Sequence, residues 1–345
     1  MTRRSPLALF AVVSFLVALP LVRSARAQSS STDSSSAFRT SERCINCHGT
    51  LKAADGKDAS IGLDWSASIM ANAARDPYWQ GSVRREVLDH PEASATIQNE
   101  CATCHMPLAH LQDKAQHHFS AVFALLPLRA GDPHTAAAAE GVTCTVCHQI
   151  QPDGLGTSAT ANGNFAVAPL STTPRPVFGP YDAPDRIDKV HILAAGYAAV
   201  QSETIQQAAL CASCHTLYTT AYGPGGKPIG RLPEQMTFLE WQHSSFSASQ
   251  TCQQCHMPAV QGATNVSSIM GQPRTGVRRH TFVGANFFML AVLNANRDAL
   301  AVTASPDRLA AAAASTTAYL QSHAAQLTVS PAQLAGGTLS FSVQV

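Results

Sequence analysis

Ten cysteines and five histidines of the chain share one arrangement. Cys44-Cys47-His48, Cys101-Cys104-His105, Cys144-Cys147-His148, Cys211-Cys214-His215 and Cys252-Cys255-His256 each read C-x-x-C-H, and together they use every cysteine. Positions i, i+3 and i+4 lie on one face of a helical turn. Two thiols so placed reach the two vinyl groups of one porphyrin while the imidazole meets its iron, which is the chemistry of covalent c-type haem attachment. Zinc sites also pair cysteines as C-x-x-C, but they do not require a histidine directly after every pair. A secreted disulfide framework would scatter its cysteines instead of spacing all ten by three. The spacing therefore predicts five haem c groups, with the ten cysteines as thioether positions and His48, His105, His148, His215 and His256 as proximal iron ligands.

Each haem iron has a second axial position, whose occupant separates electron transfer from catalysis. His280 stands in Arg279-His280-Thr281-Phe282-Val283-Gly284, with apolar neighbours and a glycine that permits close approach, and is expected to be a distal ligand. Met70 lies five residues after Trp65; the equivalent position after Trp241 is Phe246, which cannot bind iron. Met70 is thus either a thioether ligand or core packing. His191, His243 and His118 are further candidates for iron, set against the plain alternative of a solvated or satisfied side chain. His90, His134 and His323 sit in polar or Ala-rich surroundings and are read as non-ligands. Met106 and Met257 each follow a proximal histidine and precede proline, so they cannot reach the far face of the same haem and are read as packing.

The elements that must position these groups are short. Residues 1–27 carry Arg3 and Arg4, an apolar run from Leu7 to Val22, and Ala25-Arg26-Ala27, the layout of a cleaved secretory signal. Lys and Arg number 23 against 22 Asp and Glu; the signal removes four arginines and no acid, leaving a mildly acidic chain with no basic patch. Nucleic acid is therefore not an expected partner, nor is a transmembrane segment expected after cleavage. Residues 28–40 read as a disordered Ser-rich leader and 41–300 as a pentahaem domain. Within that domain an acid-Trp-x-x-Ser element follows the first motif (Asp64-Trp65) and the fourth (Glu240-Trp241), and His-Met-Pro closes the second and the fifth, suggesting a duplicated two-haem unit. Residues 151–181 read as a long surface loop. Residues 284–300 show helical spacing, and Ser305-Pro306-Asp307 opens an Ala-rich helix to about residue 326. In 301–345 that helix is followed by alternating Leu339, Phe341, Val343 and Val345, a half-buried strand pattern without turn or partner. It reads as the start of a possible β domain in a longer chain.

At these motifs the sequence resembles multihaem c-type cytochromes of the cytochrome c-552/4 family, the group of cytochrome c-554 and hydroxylamine oxidoreductase. The resemblance is carried by Trp65-Ser66-Ala67-Ser68-Ile69-Met70-Ala71, Asp76-Pro77-Tyr78-Trp79, Cys211 to Tyr218, Glu240-Trp241-Gln242-His243-Ser244 and His280 to Gly284, and runs from about residue 44 to 300. Met70 departs from it, standing where the wider group has histidine. The resemblance implies a mainly α fold with extensive irregular loops, built around stacked haems with mostly six-coordinate iron. It also implies electron transfer in the periplasm or outside the cell, with redox proteins, including other multihaem cytochromes, as partners. The competing expectation is an oxidoreductase of small nitrogen or sulfur compounds acting at one five-coordinate haem. Every motif here ends in His, against the C-x-x-C-K of pentahaem nitrite reductases.

Overall fold

Proline and acid-proline steps decide where the helices of this chain start and stop. The computed structural model describes residues 38–345, and residues 36–345 form one compact unit. The export signal read over 1–27 and most of the Ser-rich leader lie outside the described residues. Phe38 to Thr40, read from sequence as the end of that leader, belong to the fold. Phe38 is buried with Leu108, Val146, Ile150 and Phe165, and the Arg39 carbonyl accepts from Thr145 Oγ1 at 2.8 Å.

The first motif lies on α1 (Glu42–His48), and α2 (Ile61–Ser66) follows with Trp65 buried. Helix α3 (Pro77–Asp89) begins where Asp76 caps it, accepting from the amides of Tyr78 and Trp79, with Pro77 in the first turn. Helix α4 (Ser94–His105) carries the second motif and stops at once, because Met106 precedes Pro107 and is pushed out of helical geometry. Pro107 then opens α5 (Pro107–Ala115). Met106 is fully buried among Trp79, Ala102 and Ala109, so the His-Met-Pro step ends a helix directly after the histidine and anchors that end in the core.

Beyond α6 (Ala136–Ala139), α7 (Cys144–Cys147) holds the third motif, with His148 capping the turn. The stretch 151–181 is not the surface loop expected. Its Phe165 and Arg175 are buried, and β1 (Arg175–Gly179) pairs in parallel with β2 (Tyr197–Gln201) across α8 (Asp185–Ala195). Helix α9 (Ala208–His215) presents the fourth motif and leads into a ribbon of β3 (Leu217–Tyr222) and β4 (Pro228–Gln235). Helix α10 (Thr237–Gln242) carries Trp241, and α11 (Cys252–His256) the fifth motif. Strands β5 (Thr264–Asn265) and β6 (Pro273–Arg274) pair within the loop that follows.

Two covering helices close the unit. These are α12 (Phe287–Ala295) and α13 (Pro306–His323), the latter with Ser305 as N-cap and Pro306 in its first turn as its sequence predicts. Met289, Leu290, Leu293, Val302, Ala304 and Leu309 form their shared core. The terminal segment corrects the expectation of a lone, half-buried strand. Strands β7 (Thr328–Val329) and β10 (Val343–Gln344) pair, as do β8 (Gln333–Ala335) and β9 (Thr338–Ser340), and residues 331–345 are exposed throughout. Gly336 and Gly337, both at positive φ, make the turn between β8 and β9, a dipeptide that signals a hairpin in the sequence. The architecture is helical with two-stranded ribbons. Among the described residues no helix is long and apolar enough to cross a membrane.

Candidate functional site

Each C-x-x-C-H sits on a helical turn, and all ten cysteines are free and half-buried. What the sequence does not show is how the motifs meet. The Cys44 and Cys144 thiols lie within hydrogen-bonding reach, as do Cys104 with Cys214 and Cys211 with Cys252. Cys147 is close enough to feel Cys214 electrostatically. The first motif therefore abuts the third, and the fourth abuts both the second and the fifth, with the third near enough to the fourth for their thiols to interact electrostatically. Among the described residues no three His, Cys, Asp or Glu side chains gather into a metal-sized cluster. Burial pushes the Cys101 and Cys147 thiols up to about 12.

Four of the five motif histidines are held in one way. Nδ1 faces a backbone carbonyl: Val266 for His48 at 2.5 Å, Ala73 for His105 at 3.1 Å, Phe178 for His148 at 2.6 Å and Val283 for His256 at 2.6 Å. A carbonyl accepts only, so Nδ1 carries the proton and the Nε2 lone pair remains for a metal. Trp79 stacks on His105 at 4.4 Å and 5°, which fixes the plane of that ring. His215 instead has Gln235 as its side-chain partner. Burial lowers the pKa of His48, His105, His148 and His215, leaving neutral imidazoles, the form that binds iron.

His280 lies opposite His148. The ring centroids are 6.3 Å apart and the planes 15° from parallel. Two metal–imidazole bonds of about 2 Å each, plus the radii of two rings, span roughly this distance. His280 Nδ1 is itself turned to the Arg278 carbonyl at 3.0 Å, and burial, then His148, pushes its pKa down to about 4. The spacing of the two rings and the engagement of both Nδ1 atoms fit a pair of imidazoles that would hold one iron between them, so these residues fit the group that the sequence implies. Asp64, almost fully buried, clamps the neighbouring Arg279 through both oxygens at 2.9 and 3.0 Å and reaches Arg308 at 3.6 Å.

The other sequence candidates are placed unevenly. His191, on α8, is half-buried with Nδ1 on the Tyr197 carbonyl at 2.8 Å, and perturbs both His48 and His148. His48, His148, His191 and His280 therefore share one neighbourhood. His243 is exposed at the end of α10 with Nδ1 on the Leu239 carbonyl at 2.7 Å, and His118 is exposed after α5. Met70 is half-buried, and its carbonyl accepts from the Val142 amide just ahead of the third motif. His110, buried, has one ring nitrogen on Ser120 and the other on Thr103, a satisfied core histidine.

Both tryptophans of the repeated element do the same work. Trp65 Nε1 donates to the Val142 carbonyl and Trp241 Nε1 to the Gln250 carbonyl, each at 2.8 Å and each two residues before a motif cysteine. They serve different registers of the repeat, since Trp65 holds the lead into the third motif and Trp241 the lead into the fifth.

No family model, curated protein or solved structure matches this chain.

Proposed function

We propose that the chain is an electron-transfer protein holding five covalent haem c groups, exported to the periplasm or beyond and exchanging electrons with redox proteins, other multihaem cytochromes among them. The ten cysteines carry the thioethers; His48, His105, His148, His215 and His256 are the proximal ligands, and His280 is the distal ligand at the third motif. The observation that carries this reading is the contact network of the motifs. Groups attached at thiols that lie close across motifs would be near neighbours, close enough to pass electrons from one to the next. The same network makes the path depart from sequence order, running from the first motif through the third to the fourth, where it meets the second and the fifth.

Bound haem supplies one-electron chemistry at its iron. The chain's own part is to hold the imidazoles by their Nδ1 carbonyl bonds and to keep them neutral by burial. Intact mass after expression with haem-maturation machinery tests the reading: five haems are expected, and a mature chain carrying fewer overturns it. Spectroelectrochemistry then tests the redox role: five reversible one-electron steps are expected, and haems that do not titrate reversibly count against a carrier.

A further inference from the structure

Two adjacent residues of α2 hold the chain on both sides of the pair His148–His280. Trp65 Nε1 donates to the Val142 carbonyl at 2.8 Å, and the Val142 amide donates to the Met70 carbonyl at 2.9 Å. Both backbone groups of Val142, two residues before Cys144, are thus taken by α2 and the turn that follows it. Gly141 lets the two segments close to contact, since at its φ of 58° a Cβ would meet the Met70 and Ala71 carbonyl oxygens at 2.6 Å. Asp64 takes the other side, accepting from Arg279 Nε at 2.9 Å and from Nη2 at 3.0 Å, one residue before His280. Two parallel bonds fix the direction of the guanidinium as well as its place. The segment that carries His280 has other ties: the Arg279 amide donates to the Pro258 carbonyl at 2.9 Å and the Val283 amide to the His256 carbonyl at 3.0 Å. Backbone bonds therefore fasten it to the end of the fifth motif, and the Asp64 clamp adds a tie to a different element.

We propose that Asp64 and Trp65 are positioning residues that together set the spacing and the ring angle of His148 and His280. The proposal deepens the five-haem reading and rests on it. Neighbours on one helical turn keep a fixed separation, so the lead into His148 and the lead into His280 are referred to the same piece of backbone. Partners that orient ligating histidines tune the site they serve. The second copy of the repeat lacks this arrangement. Trp241 there holds the Gln250 carbonyl ahead of the fifth motif, but Glu240 forms no ion pair among the described residues. One hold is present in that copy and two in the first.

Low-spin EPR of the oxidised protein is the readout, because the g anisotropy of a ferric haem between two imidazoles follows the angle between their planes. The low-spin signal lost in His280→Ala identifies the third site, and mass spectrometry counts the haems of every variant. In Asp64→Asn, which keeps the side-chain shape, and in Trp65→Phe, which keeps an aromatic ring, that signal should shift in its largest g value. The reduction potential of the same haem should shift with it, and the other signals should stay in place. In an Arg279→Gln background Asp64→Asn should add nothing, as expected of two residues that act through one contact. Arg308 also reaches Asp64, at 3.6 Å, so this cycle separates the two arginines. Arg85→Gln, which breaks an exposed ion pair with Asp89, should leave the signal where it stands. A five-haem protein whose third-site signal keeps its wild-type position in both variants overturns the proposal alone, as does a His280→Ala protein that loses no low-spin signal. Variants that lose haems or shift every signal together also overturn it, since they assign the two residues to folding. A wild-type protein with fewer than five haems overturns the underlying reading and the proposal together.

Discussion

The third and fifth motifs present the same proximal geometry and opposite distal ones. His148 and His256 each turn Nδ1 to a backbone carbonyl at 2.6 Å. Facing them at nearly equal distance are an imidazole from the segment that Arg279 ties to Asp64, and a phenol from the covering helix α13. The first partner is half-buried beside an arginine that a buried carboxylate holds, and the second is a half-buried phenol on a covering helix. The comparison teaches that five identical attachment signatures do not make five equivalent sites. On the five-haem reading the signature would supply one ligand, and the element that folds across it would supply the other.

The largest expected effect is at the pair itself. Replacing His280 with Ala should make the third site resemble the fifth, converting one low-spin haem to high-spin or water-ligated iron; EPR spin counting of the oxidised protein reads this directly. An unchanged count removes His280 from the ligand set. The reverse exchange, Tyr319→His, should place an imidazole opposite His256 and shift the spin count toward low-spin iron, which EPR of the oxidised protein checks. Next, Asp64→Ala unties Arg279 and should lower stability by about 2–3 kcal/mol, less than for a fully enclosed pair because Arg279 is 34% exposed. Thermal melts measure the loss, and a partial high-spin signal should accompany it. Met70→His should lower one haem potential, since thioether ligation favours reduced iron; a redox titration without change assigns Met70 to packing. The smallest effect is expected from Trp65→Phe, at about 1 kcal/mol for the lost indole bond. Trp241→Phe should cost still less, because Trp241 is half-buried and Trp65 is buried. Equal losses in paired melts would show that burial does not set the difference.

The attachment turns and the Ser305-Pro306 helix start were read from the sequence, because each depends on side-chain chemistry at fixed spacing; the Asp76-Pro77 start and the His-Met-Pro stops had the same kind of signal but were taken there only as motif and repeat markers. The partners of the histidines were not. Val266, Ala73, Phe178 and Val283 contribute backbone carbonyls, which every residue type owns, so no letter in the sequence marks them. Phe178 was further concealed by the glycines and prolines of 151–181, which read as surface while the stretch forms β1. Tyr319 sits in an Ala-rich helix, and its place opposite His256 depends on where α13 docks. The β8–β9 hairpin, by contrast, was available in Gly336-Gly337.

The His48–Val266 bond joins positions 218 residues apart. A chain delivered across a membrane from its N-terminus exposes the first attachment turn long before the carbonyl that orients its histidine. Covalent capture is local and can proceed motif by motif as the polypeptide emerges, whereas axial alignment at the first motif must wait for the last third of the chain. Maturation therefore has two clocks, one set by emergence and one by long-range closure. If the chain is exported and carries haem as proposed, a translocation stall between them would yield a chain that already bears its pigment at the first motif while that histidine is not yet oriented.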